Sequence, residues 1–141
     1  MILREATALD MKFFFDLRND PESVRFSYTK RGPSWDEHQA WWFKTDDYCF
    51  VAMDGQTKLG YVRLTPLDDS TCEVHFAIVS EKRGKGWSTF LLSAGRDEAE
   101  NLGFKHIIAR VDAPNTPSIR AFLLEGYQIT SAGTLFLERD V

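Results

Sequence analysis

A chain of 141 residues with 43% hydrophobic and 27% charged side chains is one domain, residues 1–141, with enough apolar content for a single core, which excludes wholesale disorder and fibrous repeats. Its net charge of −4 argues against a nucleic-acid partner held through phosphate backbone contacts. No apolar run approaches the roughly 18 residues of a membrane span, and the N-terminus lacks a signal-peptide pattern, so a cytoplasmic protein with no membrane partner is expected.

Residues 2–6 read as a short strand. Met11, Phe14, Phe15 and Leu17 recur at helical spacing over 10–19, and Asp20-Pro21 closes that segment. Ser34 with Glu37 three residues on fits a capping box, and a helix carrying Trp41 and Trp42 follows through about Lys44. Residues 48–53 and 59–64 are apolar and β-prone, joined by an Asp54-Gly55 turn, and 71–79 is a third strand. Consecutive strands on short connections predict an antiparallel meander. Cys49 and Cys72 form no metal or redox spacing and are expected as free buried thiols, with no metal bound.

The pattern then changes. Residues 80–86 are a polar loop, and 87–102 carry a helical stripe of Phe90, Leu91, Ala94, Ala99 and Leu102 that Gly103 stops. Residues 106–111 are a strand, 115–125 a helix, and the tail after Gly126 is further strand. Strand, loop, helix and strand over 71–111 make a βαβ unit with parallel strands. The expected fold class is α/β (α+β): a mixed central sheet, its N-terminal half antiparallel and its C-terminal half βαβ, with helices on both faces.

The segment Arg83-Gly84-Lys85-Gly86-Trp87-Ser88 joins strand to helix. Glycines there allow close backbone approach, and the free N–H groups of a helix start attract anions. With Arg83 and Lys85 beside them, these parts suit a pyrophosphate. Neither GxxxxGK[ST] nor a complete GxGxxG is present, because Thr89 stands where the third glycine belongs.

The run Ile78-Val79-Ser80-Glu81-Lys82-Arg83-Gly84-Lys85-Gly86 closely resembles the acetyl-CoA loop of the GNAT family of N-acetyltransferases. Asn115-Thr116-Pro117-Ser118, with Phe122 and Gly126-Tyr127 downstream, resembles the family's second motif. The resemblance implies the GNAT acyl-CoA N-acyltransferase fold and an enzyme that moves the acetyl group of acetyl-CoA, its co-substrate, to a primary amine by direct attack on the thioester. It implies that Arg83, Gly84, Lys85, Gly86, Trp87 and Ser88 hold the pyrophosphate. Ile78 and Val79 pair with the pantetheine arm, and Asn115 contacts that arm while also serving as a helix N-cap. Ser80 replaces a common proline and Ser88 a common glycine. Phe122 stands where many members carry a tyrosine that protonates the leaving thiolate, a proton phenylalanine does not have.

On the acceptor side, Glu73 and His75 alternate onto one face of the third strand and are the candidate catalytic bases. An untuned histidine titrates near neutrality. The residues read equally as an exposed strand carboxylate and a satisfied strand histidine. Leu17-Arg18-Asn19-Asp20-Pro21 and Glu37-x-x-x-Trp41-Trp42-Phe43 resemble two subgroups: acetyltransferases of nucleotide-linked amino sugars and ribosomal-protein alanine acetyltransferases. That similarity implies a substrate site with Arg18, Asn19, Trp41 and Arg63, although at least one tryptophan belongs to the core. A small-molecule amine is the expected partner. A protein N-terminal acetyltransferase and a non-catalytic acyl-CoA-binding module are the alternatives, and a homodimer is compatible with an exposed C-terminal strand edge.

Overall fold

In the computed structural model, which describes residues 1–26, 30–131 and 135–141, the fold grows from an antiparallel meander. β2 (Tyr48–Asp54) and β3 (Thr57–Pro66) are joined at Gly55, whose φ of 60° is a left-handed value that glycine adopts without a Cβ clash. β4 (Thr71–Ile78) returns against β3, and β1 (Ile2–Glu5) pairs with the other side of β2. Side chains alternate across a strand, so Phe50, Ala52, Val62, Leu64 and Val74 enter one core while Val51, Tyr61 and Ala77 enter another. The alternation slips once. A register shift at Ala52/Met53 leaves Leu59 as the extra residue in β3, and Leu59 packs into the first core.

The chain then crosses over. A 3-10 turn at Ser80–Lys82 leads to α4 (Trp87–Asn101) and to β5 (His106–Val111), which runs parallel to β4. α5 (Thr116–Leu124) precedes β6 (Gln128–Ser131) and β7 (Leu135–Asp140). β7 lies between β5 and β6, giving the seven-stranded order β1-β2-β3-β4-β5-β7-β6. α4 and α5 cover the first face, burying Leu91, Leu92, Ala99, Ala121 and Phe122. α1 (Met11–Arg18) and α3 (Trp35–Lys44) cover the second with Phe14, Leu17 and Trp42. The expected mixed sheet with helices on both faces is the observed architecture.

Local chemistry explains where boundaries differ. The Asp20-Pro21 pair that ends α1 also starts α2 (Pro21–Arg25), because Asp20 Oδ2 accepts from the N–H groups of Glu22 and Ser23 and proline suits a first helical turn. The Ser34–Glu37 capping box forms as the sequence predicts. Cys72 is a buried free thiol, but Cys49 is only half-buried, and burial pushes both thiols up to about 11. Two glycines set interlayer distances. A Cβ on Gly60 would lie 2.1 Å from the Ala77 carbonyl oxygen, so β4 approaches β3 more closely than a side chain there permits, and one on Gly95 would lie 3.0 Å from a Val62 methyl, so α4 packs tightly on β3.

One feature of the sheet positions the site. β4 and β5 pair only at Thr71↔His106, Cys72↔Ile107 and Glu73↔Ile108. Beyond Glu73 this ladder ends, while β4 continues against β3 to Ile78 and β5 against β7 to Val111. The two strands therefore part at the centre of the sheet, and among the described residues one backbone edge of Val74–Ile78 has no neighbouring strand.

Candidate active site

The crossover loop begins where β4 ends. Val79 N–H bonds back to Leu59 O at 2.9 Å, and the 3-10 turn then delivers Arg83–Gly86 to the start of α4. Gly84 and Gly86 hold φ values of 73° and 82°, the left-handed region that glycine permits. Gly86 is the N-cap of α4 and supplies no side-chain acceptor, so the first-turn N–H groups, Trp87 and Ser88 among them, have no capping side chain. A Cβ at Gly84 or Gly86 would meet nothing within 4 Å, so the space above the loop is open. Those features fit a pyrophosphate.

The two basic residues of the loop differ. Lys85 is exposed, whereas Arg83 turns toward α2, with Nη2 2.7 Å from Asp20 Oδ2 and Nε 3.1 Å from Glu22 Oε2. Its charge is matched by those carboxylates, so Lys85 and the helix start carry the loop's uncompensated positive character. The same pairing ties the loop to the N-terminal segment.

Phe122 lies under the parted strands. It is 3% exposed and meets Phe76 of β4 edge-on with ring centroids 5.7 Å apart. Asn115 caps α5, its Oδ1 accepting from Ser118 N–H at 3.4 Å. Ile78 and Val79 stand at the end of the strand edge that β5 leaves free.

The opposite face of the same strands is polar. Glu73 is buried rather than exposed, and Arg110 of β5 grips it with two hydrogen bonds of 2.9 and 3.1 Å. His75 Nε2 lies 3.9 Å from Glu73 Oε2. Burial, with the guanidinium groups of Arg63, Arg110 and Arg18 nearby, pushes the His75 imidazole down to about 3 instead of leaving it near neutrality. Arg63 stands opposite His75 on β3 and donates to Asp47 Oδ2 at 2.6 Å. The guanidiniums of Arg18 and Arg63 lie 4.7 and 5.0 Å from the Trp41 ring centroid. Arg18, Trp41, Arg63, Glu73 and His75 thus share one face. Asn19 stands apart, because its Nδ2 donates to Phe15 O at 3.1 Å and Pro33 O at 3.0 Å, tying the end of α1 to the following loop. Trp42 is the core tryptophan, edge-on to Phe14 at 5.1 Å.

A family model described as Acetyltransferase (GNAT) domain matches residues 1–128. The chain belongs to the GNAT acetyltransferase family. One curated relative, an uncharacterized protein of Methanocaldococcus jannaschii, is 26% identical over 94% of this chain, and the chain spans only 29% of that protein's length. Among solved structures, a domain from M. jannaschii superposes with a TM-score of 0.88 at 25% identity, covering 99% of this chain and 97% of that one. A spermidine N-acetyltransferase from Vibrio cholerae, in complex with CoA and spermine, gives 0.87 at 20% identity over 98% and 94% of the two chains. A phosphinothricin acetyltransferase from Sinorhizobium meliloti, in complex with acetyl-CoA, gives 0.84 at 23% identity over 99% and 87%.

Three residues that meet this polar face carry no signal in the family motifs. His38 sits three residues before Trp41 on α3, a helical spacing that marks a shared face. Asp47 and Arg110 come from the start of the meander and the far strand of the crossover. Alternation along β5 places Arg110 opposite the buried Ile107, Ala109 and Val111, but only the parallel register brings it to Glu73. No helix among the described residues is long and apolar enough to cross a membrane, and no cluster of metal-ligating side chains occurs among them.

Proposed function

We propose that this GNAT domain transfers the acetyl group of acetyl-CoA to a primary amine of a small molecule, and that a nucleotide-linked amino sugar is the acceptor class its N-terminal segment fits. Acetyl-CoA supplies an activated thioester that an uncharged amine attacks directly, with loss of the thiolate. The observation that carries the reading is the meeting of three features at one place: the left-handed glycines before α4, the free strand edge at Val74–Ile78, and a polar face beneath it.

Arg83–Ser88 bind the pyrophosphate through backbone N–H groups and Lys85, while Ile78 and Val79 offer backbone groups to the pantetheine arm. Asn115 and Phe122 line that arm. Glu73 or, as an uncharged relay through water, His75 passes the amine's proton toward solvent, and the Glu73 carboxylate draws the ammonium to the thioester. Arg18, Asn19, Trp41 and Arg63 form the acceptor side, with Asn19 acting by fixing the end of α1. With no hydroxyl at Phe122, the thiolate leaves without an acid from that position, which its ordinary thiol pKa of about 8.5 allows. The same absence favours a second reading, a domain that binds acyl-CoA without turning it over.

The pH–rate profile tests the assignment of the proton. Because the His75 imidazole is held down to about 3, it stays uncharged across the working range and places no inflection near 6.5. We expect kcat/KM for an established amine to rise steadily toward the amine's own pKa. His75→Asn or Glu73→Gln should lower the rate at least about tenfold without moving that limb. A limb near 6.5 that disappears in His75→Asn would overturn this account of the histidine.

A further inference from the structure

Arg18 differs from the other two guanidiniums of the acceptor face. Arg63 is matched by Asp47 and Arg110 by Glu73, but no carboxylate among the described residues lies within ion-pair distance of Arg18. Among the described residues, the ion pairs thus leave Arg18 without a carboxylate partner on a face where Arg63 and Arg110 each have one, with His75 uncharged between them. A half-buried cation without a counter-charge is costly unless something else holds it. What holds Arg18 is neutral: the Trp41 ring, 4.7 Å from its guanidinium carbon, and His38 Nδ1, 3.1 Å from Nη1.

His38 is fully buried and its role is fixed by its second nitrogen. Nε2 lies 2.7 Å from the Met11 carbonyl oxygen, which only accepts, so Nε2 carries the hydrogen and Nδ1 presents a lone pair to Arg18. The rings of Phe15, Trp35, Trp41 and Trp42 pack around it with centroids 5.5 to 6.0 Å away. A protonated His38 would repel Arg18, and burial together with Arg18 and Arg63 holds the ring below its usual titration range. Contact with one carboxylate would neutralise Arg18. Contact with a neutral imidazole orients it and leaves its charge available.

We infer that His38 is a positioning residue that holds the Arg18 guanidinium against Trp41 as a seat for a negatively charged group, carboxylate or phosphate, on the acceptor amine. The inference rests on the acetyl-transfer reading for its acceptor. It differs in making charge, rather than a sugar, the feature selected, and it separates this domain from one that takes a polycation such as spermine.

The test compares acceptors that differ only in charge, by thiol release from acetyl-CoA: glycine against glycinamide, and glucosamine 6-phosphate against glucosamine. In at least one pair the anionic member should have a KM at least tenfold lower. The carboxylate pair and the phosphate pair distinguish the two sources of the anion. His38→Phe, which removes the acceptor of the Arg18 bond, should raise the KM of the anionic member toward that of its neutral analogue, with the effect on KM rather than kcat. His38→Gln, which keeps an acceptor and a donor, should recover part of the difference. Equal KM values within both pairs, a preference for spermidine, or a charge preference that survives Arg18→Gln would overturn the inference. If no amine is turned over, calorimetric titration of inorganic phosphate and acetate into the wild type and Arg18→Gln still decides it. At least tenfold weaker binding in the variant supports the seat, and no binding of either anion to the wild type overturns it.

Discussion

Replacing Gly86 by valine is expected to weaken acetyl-CoA binding by tenfold or more while the domain remains folded. Gly86 holds a φ of 82°, a conformation that costs a residue with a Cβ about 1–2 kcal/mol, more when it is β-branched. A Cβ there meets nothing within 4 Å, so no packing holds the loop in place and it relaxes to a negative φ. The first-turn N–H groups of α4 then point elsewhere, and the strain reappears as a loss of affinity, where about 1.4 kcal/mol is tenfold. Gly84, at 73°, obeys the same logic, and the double substitution should compound the loss. Calorimetric titration with acetyl-CoA reads the affinity and a thermal melt reads the fold. Arg83→Ala should weaken binding less than Lys85→Ala, because Arg83 is already engaged by Asp20 and Glu22.

Asp10→Ala is expected to destabilise the domain by about 3 kcal/mol. Asp10 is 1% exposed and receives Arg4 through two bonds of 2.8 and 3.0 Å, Lys58 at 2.8 Å and the Thr7 N–H at 2.8 Å. One carboxylate thus fastens β1, the turn into α1 and β3. Both cations are about one-third exposed, so they rehydrate when it is removed and the cost stays below that of stranding a buried charge. The hydrogen bond from Arg4, more than any other cause, holds the Asp10 carboxyl well below the usual carboxylate range. A carboxyl depressed in the folded state adds stability that is fully present above its unfolded pKa of about 3.9 and is lost as pH falls toward the folded value. The melting temperature of the wild type should therefore drop steeply below about pH 4. Asp10→Asn should start lower at pH 7 and lose less between pH 4 and pH 2.

Much of this architecture is legible in the sequence because its signals are local. The Ser34–Glu37 box, the Asp54-Gly55 turn and the stripe from Phe90 to Leu102 each lie within a few residues of the element they define. The glycine loop is legible for the same reason. The Asp20-Pro21 pair is half legible: it marks the end of α1 as read, but that the same dipeptide also begins α2 depends on the Asp20 cap. The insertion of β7 between β5 and β6 leaves no local trace, since strand order depends on contacts distant in sequence. The polar face is only half legible. Glu73 and His75 follow from alternation along β4, but their environment comes from Arg110, Arg63 and Arg18 on three other elements. A titration near neutrality is the natural expectation for His75 in isolation, and three guanidiniums and burial reverse it. His38 escapes notice for the opposite reason, because a buried histidine beside tryptophans resembles core until the lone cation bonded to it is seen.

The central claim is that the parted strands and the glycine loop bind acetyl-CoA for transfer to an amine. One measurement tests it most directly: thiol release from acetyl-CoA by the purified wild-type domain across a panel of amino acids, amino sugars, amino-sugar phosphates, nucleotide-linked amino sugars, polyamines and peptides, with acetyl-CoA affinity measured by calorimetry on the same sample. The account predicts saturable acetyl-CoA binding that Gly86→Val weakens at least tenfold, and amine-dependent thiol release with at least one small-molecule class. Saturable binding without release for any amine would contradict catalysis and leave a carrier domain, and no binding at all would contradict the assignment of the loop.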